Sequence, residues 1–399
     1  MPHATPSDAV HEFVQARRDD LARYLADLVR ARTVNPPGDE YLAAPVVTDF
    51  CDGRGIPYET FEKEKGRTNV VARIGSGRPR LLVPCHLDVV PAGSGWETDP
   101  FEPVIRDGRL YGRGAKDNKG ALAGMMVAAE YLKEHEADLA GQLVLVACAD
   151  EEAGSRLGMK YLLQECGVEA EMAIVPDAGS EMREIDVGEK GALFVKVRTV
   201  GRQAHGSTPE KGASAIWPTI AFLERIRHWR PVVPEGAEGA GLFTPPTLNV
   251  GTIHAGTVAN IVPGECEAQI DMRFPPGPDP EAVLAHLRGE LEAVAAAHEG
   301  VRMDLEVLSN QPPTVVDASN PMVEAVRRHT RAVTGAAAEP IGQSGATVAK
   351  FLNFRGIPAI GFQSGPEDVE HVAGEWNDLA GLADFAEVMT RVALDLLGG

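Results

Sequence analysis

Apolar and polar positions change rhythm along the chain. Around residues 22–30, Leu21, Leu25 and Leu28 recur at helical spacing until Asn35-Pro36-Pro37-Gly38 stops the helix. Short β-rich runs follow at 70–74, 81–83, 143–147, 172–175 and 359–362, each bounded by Gly, Pro or charged residues. Helical stretches lie between them, notably 120–133 with Leu122, Met125, Met126 and Leu132 as its apolar members. Strands alternating with helices predict an α/β fold whose mostly parallel sheet is covered by helices on both faces.

The middle of the chain reads differently. Residues 193–200 alternate like a half-exposed strand, and 215–229 form a helix built on Ile216, Ile220, Leu223 and Ile226. Two more strands at 248–253 and 266–274, an amphipathic helix at 281–298 and a strand at 301–307 complete a β-α-β-β-α-β order. That order is the ferredoxin-like split βαβ arrangement. It predicts an insert over 189–308 within a domain made of 1–188 and 309–399, with the Pro/Gly/Glu-rich 231–246 as a loop of the insert.

Composition narrows the function. A length of 399 residues favours two domains or one with an insertion. The net charge of −20 repels a nucleic acid backbone, and an anionic substrate needs a local Arg or Lys to overcome that field. Residues 1–20 carry no apolar run of the kind a secretory signal needs, and the longest apolar stretch, 121–129, is far short of the roughly 20 residues that span a bilayer. No membrane association is expected. Cys51, Cys85, Cys148, Cys166 and Cys266 are odd in number, widely spaced and without a CxxC pair, which fits a reducing cytoplasm.

Five strings carry candidate chemistry. An apolar strand at 81–85 runs into His86-Leu87-Asp88, where a carboxylate two residues on could fix the tautomer of a metal-binding imidazole. Gly112-Arg113-Gly114-Ala115-Lys116-Asp117-Asn118-Lys119-Gly120 runs straight into a helix and, taken alone, is equally an N-cap with a glycine turn. Asp150-Glu151-Glu152 follows another strand; three acids in a row are usually a solvated turn, but parallel sheets place their ligands at that end. Asp177 follows a strand at 172–175, and His371 lies beyond the strand at 359–362. Together they supply the histidine and carboxylate donors that zinc accepts.

In these strings the sequence resembles the superfamily of acetylornithine deacetylase, succinyl-diaminopimelate desuccinylase, aminoacylase and carboxypeptidase G. The resemblance runs from Asn35-Pro36-Pro37-Gly38-Asp39-Glu40 to Glu375-Trp376. It implies a zinc-peptidase-like sheet with an inserted lid and dimerisation domain, and two divalent ions, zinc or cobalt. Asp117 would bridge the ions, with His86 and Asp177 completing one site and Glu152 and His371 the other. Glu151 would be the general base, with Asp88 in support, and the peptide between Asp117 and Asn118 would be cis. A water shared by two divalent ions loses much of its pKa, which provides the nucleophile near neutral pH.

In the insert, Gly201-Arg202-Gln203-Ala204-His205-Gly206-Ser207, Asn249, Asn260 and Arg273 form a second cluster, although Asn before a Pro-containing loop and Arg on a strand are commonplace. The resemblance implies that His205 holds the tetrahedral oxyanion, often across a homodimer, and that Asn260, Arg273 and Gly345 bind the substrate. An Arg fork suits a free carboxylate. His254 could face the substrate but reads as a loop residue, and His3, His11, His135, His228, His286, His298 and His329 read as surface or packing residues. Two departures sit on the substrate side. Val348 stands where relatives often carry Asp, and Glu367 where they carry Gly. Asp177 leans away from the desuccinylases, whose equivalent is usually Glu. The function implied is an N-acyl amino acid deacylase. The alternatives are a dipeptidase or carboxypeptidase of the same mechanism and a non-catalytic metabolite-binding relative.

Overall fold

The computed structural model describes residues 6–399, so the reading of His3 lies outside the described residues. The chain divides into two compact units. One runs up to Gly188 and resumes at Val316–Ile341 and Ala346–Gly399, and the other is Glu189–Val315 with Gly342–Gly345.

The first unit is built on a sheet whose strands lie in the order Tyr58–Glu62, Thr68–Gly75, Gln142–Cys148, Arg80–His86, Met172–Val175, Ala359–Gly361 and Glu184–Glu189. The four strands from Gln142–Cys148 to Ala359–Gly361 pair in parallel. Their neighbours on both sides are antiparallel, so the sheet is parallel at its centre and mixed overall. The reason is local on one side: Tyr58–Glu62 and Thr68–Gly75 are joined by a short turn, and a short turn permits only antiparallel pairing. Strands Arg80–His86 and Gln142–Cys148 bury every residue after their first, as expected of a sheet covered on both faces.

Helix Lys119–Glu134 lies against Leu379–Leu397 and Arg18–Arg30 and is buried from Lys119 to Leu132. Each large apolar side chain so buried contributes about 1.5–3 kcal/mol. Helix Arg18–Arg30 buries Leu21, Leu25 and Leu28 in the predicted stripe and ends where Ala31 turns extended. Among the described residues no helix is long and apolar enough to cross a membrane, and all five cysteines are free.

The second unit is a four-stranded antiparallel sheet in the order Thr247–Ala255, Glu265–Phe274, Gly191–Val200, Arg302–Gln311. Helices Ile216–Ile226 and Pro280–Ala296 pack on it, which is the ferredoxin-like arrangement. Its core includes Val195, Phe222, Ile270, Phe274, Leu287 and Met303. Two details differ from the sequence reading. The last strand continues through a bulge after Val307 to Gln311, so this unit extends beyond residue 308 to Val315. In helix Ile216–Ile226 the buried positions are Pro218, Thr219, Phe222 and Ile226, whereas Ile220 faces solvent. Thr219 turns inward because its hydroxyl bonds Thr199 Oγ1 at 2.8 Å and the Ala215 carbonyl at 2.9 Å.

Gly120 tests the packing at the start of helix Lys119–Glu134. Alanine there would gain up to ~1 kcal/mol of helix propensity. Its Cβ would stand 2.3 Å from the Ala115 carbonyl oxygen and 2.6 Å from Asn377 Nδ2, and overpacking against fixed groups costs about 1–3 kcal/mol. Gly120→Ala is therefore expected to lower Tm by a few degrees in a thermal melt, at about 2–4 °C per kcal/mol; an unchanged or higher Tm would contradict this packing.

Candidate metal centre

The parallel strands bring their carboxyl ends to one edge, where open α/β sheets gather ligands. Arg80–His86 ends on His86, Gln142–Cys148 leads into Glu151 and Glu152, Met172–Val175 into Asp177, and Ala359–Gly361 into the loop bearing His371. Asp117 immediately precedes Asn118, the N-cap of helix Lys119–Glu134, and the Asp117–Asn118 peptide is cis. His86 Nε2 stands 2.9 Å from Asp117 Oδ1 and 3.7 Å from Asp177 Oδ1. On the other side, His371 Nε2 stands 3.1 Å from Asp117 Oδ2 and 3.2 Å from Glu152 Oε2. Asp117 thus turns one oxygen toward each histidine. The donor atoms of His86, Asp117 and Asp177 lie within 4.8 Å of one another, as do those of Asp117, Glu152 and His371.

The chemistry of this donor set fits divalent cations. His86 Nδ1–H donates to the Asp88 carbonyl at 2.8 Å, which leaves Nε2 as the atom facing the two carboxylates. Glu152 Oε1 is buried without a hydrogen-bond partner. Burial lowers the His86 imidazole, but Asp117 and Asp177 outweigh it and hold its pKa well above the ordinary value. Hydrogen bonds to Asp117 and Glu152 lift His371 to about 10. Burial and Asp117 push Asp177 up to about 6, and burial with the neighbouring Asp177 carries Glu151 well above the usual carboxylate range. Burial alone would raise Asp117, but its bonds to the two imidazoles keep it well below its ordinary value. Protons are standing in for positive charge, and zinc-type ions accept this mixture of imidazole and carboxylate.

Asp88 acts otherwise than the sequence suggested. Its carboxylate is 3.6 Å from His86 Nδ1, too far for a hydrogen bond, and its backbone carbonyl orients the ring. The carboxylate, fully buried, accepts instead from the backbone N–H of Glu151 at 3.0 Å, of Glu152 at 3.2 Å and from Asn35 Nδ2 at 2.8 Å. Asp88 therefore aims the acidic turn. Several residues with no role in the sequence reading complete the frame. Arg67 forks onto Glu40 at 2.7 and 2.8 Å and reaches Asp150 at 3.1 Å, while Asp150 accepts from Leu157 N. These bonds hold Asp150 at φ +64, a left-handed backbone unusual for a non-glycine residue. Asn118 accepts from His86 N at 3.2 Å and donates to the Pro176 carbonyl at 2.5 Å, tying two ligand strands together. Asn35 and Glu40 stand in the string where the family resemblance begins; Arg67 carried no comparable signal.

In the second unit His205 and Asn260 are neighbours. His205 pairs with Ile261 in an isolated bridge, and Gly206 N–H donates to the Asn260 carbonyl at 2.7 Å. Ser207 N–H donates to His205 Nδ1 at 3.1 Å, so the ring proton sits on the exposed Nε2. Arg273 lies at the far end of strand Glu265–Phe274, opposite Ala192, held by Asp271. Gly345 adjoins the same end, where Gln343 accepts from Lys190 N. His254 is exposed on the outer strand, opposite Glu267. Of the other histidines, His135 and His286 stack on Tyr131 and Trp229, and His298 bonds the Val294 carbonyl. His11 and His329 each meet one carboxylate, Glu387 at 2.8 Å and Asp395 at 3.1 Å.

A carboxylate shared between two histidine-containing trios at the edge of an α/β sheet defines a metal-dependent hydrolase. The sequence profile of peptidase family M20/M25/M40 matches residues 82–395, and the chain belongs to that family. It is 33% identical to the acetylornithine deacetylase of Myxococcus xanthus over 88% of this chain and 87% of that one. It is 32% identical to the succinyl-diaminopimelate desuccinylase of Thioalkalivibrio sulfidiphilus over 86% of this chain and 89% of that one. The fold matches a tripeptidase of Staphylococcus aureus at a TM-score of 0.78 and 23% identity, covering 94% and 97% of the two chains.

Metal ligands must be deprotonated. Because the neighbouring carboxylates raise the pKa values of His86 and His371, both imidazoles would have to lose protons to serve as metal ligands. Loading the centre at pH 7.5 is expected to release about two protons or more, and affinity is expected to fall as pH falls. Calorimetry in buffers of different ionisation enthalpy measures the release; uptake, or none, would contradict the assignment.

Proposed function

We propose that this chain is a deacylase that uses two divalent ions, zinc or cobalt, to cleave the amide of an N-acyl amino acid. The observation that carries the reading is Asp117, with one oxygen toward each histidine and the half-buried Glu151 near enough to feel its charge. Similarity to an acetylornithine deacetylase over most of both chains supports the substrate class, and Asp177 leans the same way.

His86, Asp117 and Asp177 would hold one ion and Asp117, Glu152 and His371 the other. When bound, the ions would supply Lewis acidity and a lowered pKa for a shared water. Glu151 takes the proton of the attacking water and later passes it to the leaving amine. Its backbone is pinned by Asp88, so the carboxylate needs no rearrangement between the two transfers. The exposed Nε2–H of His205 is a donor suited to an oxyanion. Arg273, with Asn260 and Gly345, would bind the substrate carboxylate, the local positive charge that a chain of net charge −20 needs. Five free cysteines fit a cytoplasmic setting.

The second unit serves in this reading as lid and dimerisation domain. His205 and Asn260 lie at one end of strand Glu265–Phe274 and Arg273 near the other, roughly 25 Å apart at ~3.3 Å per residue. One copy cannot place both on one small molecule without refolding this unit. A homodimer resolves this, with His205 and Asn260 supplied by one copy and Arg273 by its partner.

Purified enzyme supplied with zinc or cobalt is expected to turn over N-acetyl amino acids in preference to a dipeptide panel; selective dipeptide hydrolysis would overturn the substrate class. Glu151→Gln is expected to cost about 10² to 10⁴ in kcat with metal content kept, and equal activity would refute its role as base. Mixing inactive His205→Ala and Arg273→Ala proteins under subunit exchange is expected to restore about a quarter of wild-type activity, since half the dimers are mixed and each mixed dimer holds one intact site. No recovery would leave the shared-site arrangement without support.

A further inference from the structure

Glu375 is fully buried and stands four residues after His371. Its Oε1 accepts from the backbone N–H of Lys116 at 2.9 Å and of Asp117 at 3.0 Å. Its Oε2 accepts from Gly114 N at 3.1 Å and Arg113 Nη1 at 2.6 Å, while its own carbonyl accepts from Gly112 N at 2.9 Å. The turn that ends on Asp117 is thus wrapped around one anion, its N–H groups converging as in an anion-binding nest. The adjoining strand pair fixes where that anion sits: Trp376 pairs with Tyr111 in register, so the turn is clamped from both ends. No other side chain bonds the backbone of Asp117 among the hydrogen bonds of the described residues.

A carboxylate suits this place and its close analogues do not. Two oxygens offer lone pairs to four donors at once. An amide would turn an NH2 group toward at least one pair of N–H donors, and Asp would withdraw both oxygens by one methylene.

We propose that Glu375 is the positioning residue that sets Asp117 between the two metal sites, so that losing it weakens the pairing of the ions. The proposal rests on the two-ion reading above. Asp117 is the one residue common to both donor trios, so a shift of its backbone takes a ligand from each site at once. His86 and Glu152 would remain in place, because the Asp88 carbonyl holds the His86 ring and the Asp88 carboxylate holds the Glu152 backbone. Binding is therefore expected to become weaker and less coupled while the protein stays folded.

The test compares wild type, Glu375→Gln and Glu375→Asp with Glu130→Gln as control. Glu130 is another buried acid, bonded to Arg17 and Arg54 and carried in the last turns of helix Lys119–Glu134, away from its Asp117 end. Cobalt(II) titration followed by calorimetry gives stoichiometry and affinity, and electron paramagnetic resonance reports magnetic coupling between the ions. Wild type is expected to bind two coupled ions. Glu375→Gln is expected to bind the second at least about tenfold more weakly, with the coupling signal reduced and kcat lowered more than KM is raised. Glu375→Asp should move in the same direction and covers the case in which the Gln protein does not fold. Glu130→Gln is expected to lose thermal stability yet keep both ions. Two coupled ions at wild-type affinity in either Glu375 variant would overturn the proposal, as would equal metal loss in the control. A wild-type protein that binds no pair of ions would instead remove the two-ion reading itself, so the two failures are distinguishable.

Discussion

Mutual repulsion among the carboxylates of Asp117, Glu151, Glu152 and Asp177 is the constraint around which this site is built. Two like charges about 4 Å apart repel by about 4 kcal/mol at the effective dielectric typical of proteins. A chain that stays marginally stable by roughly 5–15 kcal/mol cannot leave several such pairs uncompensated. The elevated pKa values of His86 and His371, and the upward push on Glu151, are the response of the metal-free site. Divalent ions would remove the same repulsion while leaving Glu151 free to accept a proton, so in the proposed function metal binding and base catalysis answer one electrostatic problem.

The frame is anchored by more buried acids. Asp88 holds the backbone of Glu151 and Glu152, Glu375 that of Asp117, and Glu40 accepts from Asp150 N at 3.1 Å. Charged hydrogen bonds of this kind contribute about 1.5–3 kcal/mol each, roughly twice a neutral one. An anion on a main-chain N–H fixes the backbone itself, whereas a bond to a ligand side chain fixes only a rotamer. The burial of so much charge is offset at few points: Arg67 is the guanidinium bonded to Glu40 and Asp150, and Arg113 the one bonded to Glu375.

The candidate donors His86, Glu152, Asp177 and His371 were legible in the sequence because each closes or follows a short apolar run, and a parallel sheet puts such ends side by side. Asp117 was marked by the glycine turn ahead of a helix. The residues that hold the donors were not legible. Arg67 meets Asp150 across 83 positions and Glu375 meets Asp117 across 258, distances over which spacing carries no signal. Asp88 was visible as a residue but not in its role, since a carbonyl and a carboxylate on one residue can each reach an imidazole and only coordinates separate them. Periodicity failed at one helix face. In Ile216–Ile226 a hydroxyl pair drew Thr219 inward and left Ile220 outside, whereas helix Lys119–Glu134, buried on all sides, was found where expected. One antiparallel flank of the main sheet ends in a hairpin that the alternation of strands and helices does not reveal.

In the proposed function, specificity would turn on how Arg273 is prepared. Its Nε and Nη2 already bond Asp271 at 2.7 and 3.2 Å, and its guanidinium lies over the Phe194 ring at 5.1 Å. An arginine offers five N–H donors in a rigid plane, so Asp271 occupies one edge and leaves donors on Nη1 for a second carboxylate. Holding the plane in advance lowers the side-chain entropy lost on binding, which for a long side chain is about 0.5–1.5 kcal/mol. The same Asp271 also cancels part of the charge that attracts the substrate. Affinity for a substrate carboxylate alone would then be modest, and selection among substrates would fall to the groups on either side of the scissile amide.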